Sequence, residues 1–255
     1  MSKFQDLGPR IISAIVLAVL GLGAVISGGL AFLIFAAAIG GIMIWELCRM
    51  LDVAALISVL LGVLAGLSIY AQGMNLFPFS EYALALAPLA GMAFVMRDKW
   101  LLALYGLAIM AAVVTLVDIR ENAGPTWALW LILVVIASDI GGYFFGRIIG
   151  GPKILPVISP KKTWSGTIGG WLLAALVGWL MMDALLQGST LIVLSVFGAM
   201  AGQLGDIVES RIKRHAGVKD SSNLIPGHGG FLDRFDALLG AALMFLLWTT
   251  VMGAL

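Results

Sequence analysis

Residues 11–45 read IISAIVLAVLGLGAVISGGLAFLIFAAAIGGIMIW, 35 positions without a charged side chain. As one α-helix rising about 1.5 Å per residue, the run would reach roughly 52 Å, well beyond a hydrocarbon core of about 30 Å. It therefore predicts two shorter helices that reverse at Ser27-Gly28-Gly29, where glycine permits backbone conformations closed to other residues. Outward from this hairpin, further apolar runs predict spans at about residues 53–72, 82–96, 100–117, 126–148, 164–182, 189–209 and 237–255, nine spans in all.

Composition points to lipid as the main solvent. Of 255 residues, 61% are hydrophobic and 11% charged, too few charges to cover a water-soluble globule of this size. Inside a bilayer the backbone has no water to bond, so such spans must be helical. The expected fold is all-α: a polytopic integral membrane helical bundle of about nine transmembrane helices, one transmembrane domain over residues 1–255. A net charge of +1 points to no nucleic-acid partner. Cys48 is the single cysteine, which excludes an internal disulfide and a His/Cys zinc cluster. Lys3 and Arg10 precede a run much longer than a signal-peptide core, without a clear cleavage site, so this end is expected to remain as a membrane anchor.

Orientation follows from the excess of Lys and Arg in cytoplasmic loops. With nine spans and a cytoplasmic amino terminus, the inner loops hold Lys3, Arg10, Arg49, Arg97, Lys99, Arg147, Lys153, Lys161, Lys162, Arg211, Lys213, Arg214, Lys219 and Arg234. That is 14 of the 15 basic residues, with Arg120 alone outside. Fusing the first two spans would invert every later loop and lose this asymmetry. The protein is thus expected in the cell membrane, with its longer polar loops facing the cytoplasm and its carboxyl terminus outside. Glycines four apart (Gly142, Gly146 and Gly150; Gly62 and Gly66; Gly198 and Gly202) let helix backbones approach closely and suit an intramembrane homodimer.

The chemistry concentrates in the half from residue 126 to 255, in polar stretches 147–163 and 206–236; residues 1–125 carry no recognisable motif. A helix leaving the membrane would put Asp206, Glu209, Ser210 and Lys213 on one face. Beyond it runs KDSSNLIPGHGGFLDRFD, residues 219–236, with Gly229 and Gly230 beside His228 and with Asp233 and Asp236 opening the last helix. These two carboxylates either complement the helix dipole or hold a divalent cation. Ser159-Pro160-Lys161-Lys162-Thr163 starts another helix, where N–H groups and ammonium groups would suit a phosphate, or where the lysines merely mark orientation. Asp139, beside Ser138 within a span, is functional by default, the alternative being a hydrogen bond to a neighbouring helix.

Ser210-x-x-Lys213-Arg214, then Lys219-Asp220, then Pro226-x-His228-Gly229-Gly230-Phe231-x-Asp233-Arg234-Phe235-Asp236 closely resembles the signature of the phosphatidate cytidylyltransferase family. The resemblance extends through Gly205-Asp206-x-x-Glu209, the Lys161-Lys162 segment and Ser138-Asp139. It departs at Ser165, where the family usually carries Glu or Gln. The resemblance implies transfer of CMP from CTP to phosphatidate, giving CDP-diacylglycerol and pyrophosphate, with Mg2+ as one or more cations. It implies Asp206 and Asp233 as metal ligands, with Lys213, Lys219, Asp220 and Asp236 completing the catalytic set. Ser138, Asp139, Lys161, Lys162, Thr163, Ser210, Arg214, His228 and Arg234 are then substrate-binding candidates, His228 either meeting a phosphate oxygen or fixing its Gly-rich loop. Asp206, the two lysines and Asp139 are expected to converge on loop 210–236.

A secondary transporter would also carry an intramembrane carboxylate and glycine-interrupted helices, but leaves the polar signature unexplained. A CTP-using enzyme acting on another lipid, such as a polyprenol kinase, differs only in the lipid pocket. For the topology, a reporter fused after Leu255 should read out on the outer face of the membrane; a cytoplasmic signal would break the nine-span arrangement.

Overall fold

The computed structural model describes residues 7–156 and 158–252. Its helices are α1 (Leu7–Ser27), α2 (Gly29–Met50), α3 (Ala55–Gly73), α4 (Leu86–Gly91), α5 (Lys99–Asp118), α6 (Pro125–Ile148), α7 (Trp164–Met181), α8 (Thr190–His215) and α9 (Leu232–Met252). All but α4 are long and apolar enough to cross a membrane, which makes eight. Lys3 and the expected end of the last span, residues 253–255, lie outside the described residues.

The long first run breaks where expected. Gly28 and Gly29 have φ of +61° and +52°, and a Cβ on Gly28 would collide with the Arg120 guanidinium. Arg120 donates to the carbonyls of Val25 and Ile26, and Glu121 Oε1 accepts from the Gly29 N–H at 2.8 Å. The helix ends at this hairpin thus find partners for polar groups that neither helix satisfies alone. The one basic residue predicted on the outer side has a structural task.

The chain forms two compact units, Met1–Glu121 with His215–Phe235, and Asn122–Arg214 with Asp236–Leu255. In the first, α2 and α3 meet backbone to backbone: a Cβ on Gly41 would lie 2.6 Å from the Gly62 carbonyl oxygen, and one on Gly66 would lie 3.0 Å from that of Ala37. After α3 comes a correction to the predicted regular span at 82–96. The chain instead forms a 3-10 turn, Ser80–Ala85, then the six-residue α4, then irregular backbone to Asp98. Pro78 and Pro88 withhold N–H donors, and Phe79 stands at φ +65°.

This broken segment nevertheless runs the depth of the unit. Ser80 bonds Gln72 near the end of α3, Pro88 packs against Gly106 and Gly91 against Leu102, and Asp98 pairs with His215 at 2.8 Å. Ser80, Ala83, Ala87 and Val95 are buried, whereas Phe79, Tyr82, Phe94 and Met96 are exposed, so one side of the segment packs on protein and the other does not.

In the second unit α6 and α7 share a glycine seam. Cβ atoms on Gly141 and Gly166 would come within 2.6 Å of the Gly169 oxygen and 2.5 Å of the Gly142 oxygen. Gly202 packs under Ala237 of α9. The four-residue glycine patterns are therefore used within the chain. Gly150 is the exception: it sits at φ +65° with open space around it, a turn residue and not a packing one. Stretch 147–163 also departs from the all-α expectation, because β1 (Lys153–Leu155) and β2 (Ser159–Thr163) pair antiparallel, with Lys153 opposite Thr163 and Leu155 opposite Ser159. A span of two strands between helices satisfies backbone groups locally in a stretch too polar and Pro-containing to remain helical.

Gly41→Val should lower the stability of the purified protein in detergent by about 1–3 kcal/mol through forced separation of α2 and α3. Gly21→Ala, at a position with nothing within 4 Å, should leave the unfolding midpoint unchanged.

Candidate active site

The loop between α8 and α9 is organised by two buried carboxylates of the first unit. Asp233, in the first turn of α9, accepts three hydrogen bonds at Oδ2, from the Ser221 N–H, the Ser221 hydroxyl and the Gly230 N–H, each at 2.8 Å. Glu46, in the last turns of α2, has no exposed surface. Its Oε1 accepts from the Ser222 hydroxyl at 2.6 Å and the Phe231 N–H at 2.9 Å, and its Oε2 from the Leu232 N–H at 2.7 Å. Ser221 Oγ also lies 3.2 Å from Glu46 Oε2, but its single proton serves the shorter contact to Asp233.

Glu46 thus satisfies N–H groups at the start of α9 that have no partner within that helix. The space between the carboxylates admits no side chain: a Cβ on Gly230 would collide with Ser221 Oγ and Glu46 Oε1, and one on Gly229, at φ +83°, would lie 2.6 Å from Asp233 Oδ2. Ile225 to His228 closes a tight turn, with the His228 N–H donating to the Ile225 carbonyl at 2.9 Å and Gly227 at φ +75°. Pro at the second and Gly at the third position suit such a turn.

His228 Nδ1 lies 2.7 Å from Ser13 Oγ of α1. Burial first, then the positive charges of Arg234 and Arg10, holds its imidazole below the usual histidine range, so the ring is neutral at neutral pH. Lys219, Asp220 and Arg234 are exposed on this loop.

The second unit gathers the other expected residues. Asp206 of α8 accepts from Ser210 Oγ at 3.1 Å and pairs with Lys162 of β2 at 2.5 Å. One turn on, Glu209 pairs with Lys213 at 2.6 Å, so the predicted face of α8 carries two linked pairs. Asp236 lies within electrostatic range of Asp206, Lys213 and Asp139. Ser138, Asp139, Arg147, Lys161, Lys162 and Thr163 line a cavity of about 350 Å3, so the intramembrane Asp139 shares a cavity with three basic side chains. Thr163 caps α7, its hydroxyl accepting from the Gly166 N–H at 3.2 Å. Ser165 Oγ donates to the Gly150 carbonyl, which makes the departing residue a latch between the β-hairpin and α7.

Among the described residues, no group of three or more His, Cys, Asp or Glu side chains could enclose a cation. Magnesium is commonly held by one or two carboxylates with substrate phosphates and water, a demand that Asp206, already facing an ammonium, fits by its charge.

Two polar residues escaped the sequence reading. Gln203 ties three helices together, donating to Ser138 Oγ at 3.2 Å and accepting from Trp171 Nε1 at 3.0 Å. Glu46 directly follows the first apolar run, and the signal that singles out Asp139, a carboxylate in an apolar helix, applies to it equally.

The model of the cytidylyltransferase family matches residues 8–252. The chain is similar to the phosphatidate cytidylyltransferase of Brucella suis biovar 1, at 36% identity over 97% of this chain and 94% of the relative. It is similar to that of Staphylococcus saprophyticus, at 34% identity over 90% of this chain and 94% of the relative.

Glu46→Gln keeps the shape of this side chain but turns an NH2 donor toward groups that themselves donate. Hydrogen–deuterium exchange across residues 219–232 should rise by about tenfold or more, the factor for roughly 1.4 kcal/mol of lost local stability. Unchanged protection would show that the loop holds its shape without this carboxylate.

Proposed function

We propose, since the chain belongs to the cytidylyltransferase family, that it transfers CMP from CTP to phosphatidate, giving CDP-diacylglycerol and pyrophosphate. The observation that carries this reading is the cation-lined cavity of the second unit, where Lys161, Lys162 and Arg147 stand beside Ser138 and Asp139. A phosphate oxygen of phosphatidate forms a bond to the α-phosphorus of CTP while the bond from that phosphorus to the oxygen leading to the β-phosphate breaks, and pyrophosphate departs. An ionised phosphate needs no base to remove a proton, so the demand on the protein is positioning and charge neutralisation.

We assign the cavity lysines to the phosphates of CTP. Asp206 and Asp233 are the carboxylates we assign to magnesium, which when bound neutralises charge on the phosphate oxygens. The Lys162 ammonium against Asp206 supports this assignment, because that carboxylate already has a cation as its partner. At Asp233, three donors hold Oδ2 in place, which fixes the carboxylate that we assign. Lys213, held by Glu209, and Asp236 set the charge around Asp206, while Ser210 orients it. Lys219 and Arg214 stand at exposed positions suited to a phosphate-bearing substrate, with Asp220 exposed beside Lys219.

The protein is multi-pass, and we place it in the cell membrane with this site toward the cytoplasm. The full-depth course of the broken segment before α5 supports nine crossings, and with them a cytoplasmic amino terminus and the basic loops on one side.

Purified protein given labelled CTP and phosphatidate should form a CDP-lipid only when magnesium is present. Asp206→Asn and Asp233→Asn should each lower that rate by roughly 100-fold or more. Full activity in either variant would remove its carboxylate from the metal site.

A further inference from the structure

The amino-terminal end of α1 lies against the Pro226–His228 turn. Ser13 Oγ sits 3.1 Å from the carbonyl oxygens of Arg10 and Pro226, besides its contact with His228. A Cβ on Gly227 would stand 2.5 Å from Arg10 Cγ and 3.4 Å from Arg10 Nε, so the arginine stem runs along the turn. Arg10 and Arg234 both act electrostatically on His228, and both are exposed. Among the described residues neither guanidinium is paired with a carboxylate. Two guanidiniums around one imidazole repel each other and present donors suited to a phosphate dianion.

The same loop touches an apolar space. Leu224 closes a groove of about 610 Å3 between α2 and α3, walled by Ile34, Ala38, Trp45, Val59 and Val63. A nucleotide has no use for such a groove, whereas a phospholipid carries both a phosphate and chains to fill it. We propose that Arg10, His228 and Arg234 seat the phosphomonoester headgroup of an acidic lipid, with one of its acyl chains lying in the α2–α3 groove beside Leu224. This rests on the reading of phosphatidate as substrate and gives the amino-terminal helices a part in holding it.

The test is binding to the full-length protein in detergent, without turnover, using dioctanoyl phosphatidate, dioctanoyl phosphatidylcholine and CTP as separate probes. Arg10→Ala should weaken phosphatidate binding by about tenfold or more, the loss of a charge-assisted contact, and leave CTP affinity and the unfolding midpoint unchanged. Val63→Trp should weaken binding of dioleoyl phosphatidate more than that of the dioctanoyl lipid. Unaltered phosphatidate affinity in Arg10→Ala would overturn the seat, and so would a loss confined to CTP, which would make the nucleotide phosphates its ligand. If phosphatidate binds in an Arg10-dependent way but wild-type protein makes no CDP-lipid, the catalytic reading fails and the lipid seat stands. If CDP-lipid forms and Arg10→Ala keeps the wild-type KM for phosphatidate, the seat fails and the reading stands.

Discussion

An ionised carboxylate removed from water costs several kcal/mol unless hydrogen bonds replace its hydration. Glu46 meets that requirement with the Ser222 hydroxyl and the N–H groups of Phe231 and Leu232 at the start of α9, and the dependence runs both ways. The carboxylate is tolerable in α2 only because the loop folds over it. The loop has its shape because those donors converge there, next to the Asp233 carboxylate that shares Ser221. Gly229 and Gly230 follow from the same geometry, since the two carboxylates fill the volume that any Cβ would enter.

The lipid solvent explains much of the remainder. Helices in hydrocarbon gain little from burying apolar surface against each other, so close backbone approach matters more, and both units are built on glycine seams. Where the chain departs from regular helix, neighbouring groups support it: Arg120 and Glu121 serve the α1–α2 hairpin, and Ser80, Ala83, Ala87 and Val95 anchor the segment around α4 by their burial. Polar chemistry is left to the helix ends and to the cavity beside Asp139.

Within the second unit, opposite charges stand in close pairs. Lys162 on Asp206 keeps an ammonium group at the cavity without leaving it uncompensated, and Lys213 on Glu209 forms a second such pair along α8. An arriving polyphosphate exchanges one anionic partner for another, a smaller electrostatic change than placing bare charges in a poorly solvated site.

Hydropathy and charge were legible in the linear chain because lipid imposes a length and a composition on each span; the hairpin at Gly28, the membrane class and the signature loop all follow from local sequence. For the segment at 82–96 the regular helix was the error: its apolar composition suits membrane depth, while Pro88 and the left-handed backbone at Phe79 decide its shape. Glu46 and Gln203 were missed for a related reason. A polar side chain in an apolar helix declares that it needs partners, not which ones, and the partners of Glu46 lie some 175 residues away in sequence. The sequence by itself determined that this chain lives in lipid and carries phosphate-transfer chemistry, since solvent and residue type act locally. The tertiary structure alone decided that a carboxylate of the motif-free half shapes the loop, because hydrogen bonding acts across space between residues that the chain keeps far apart.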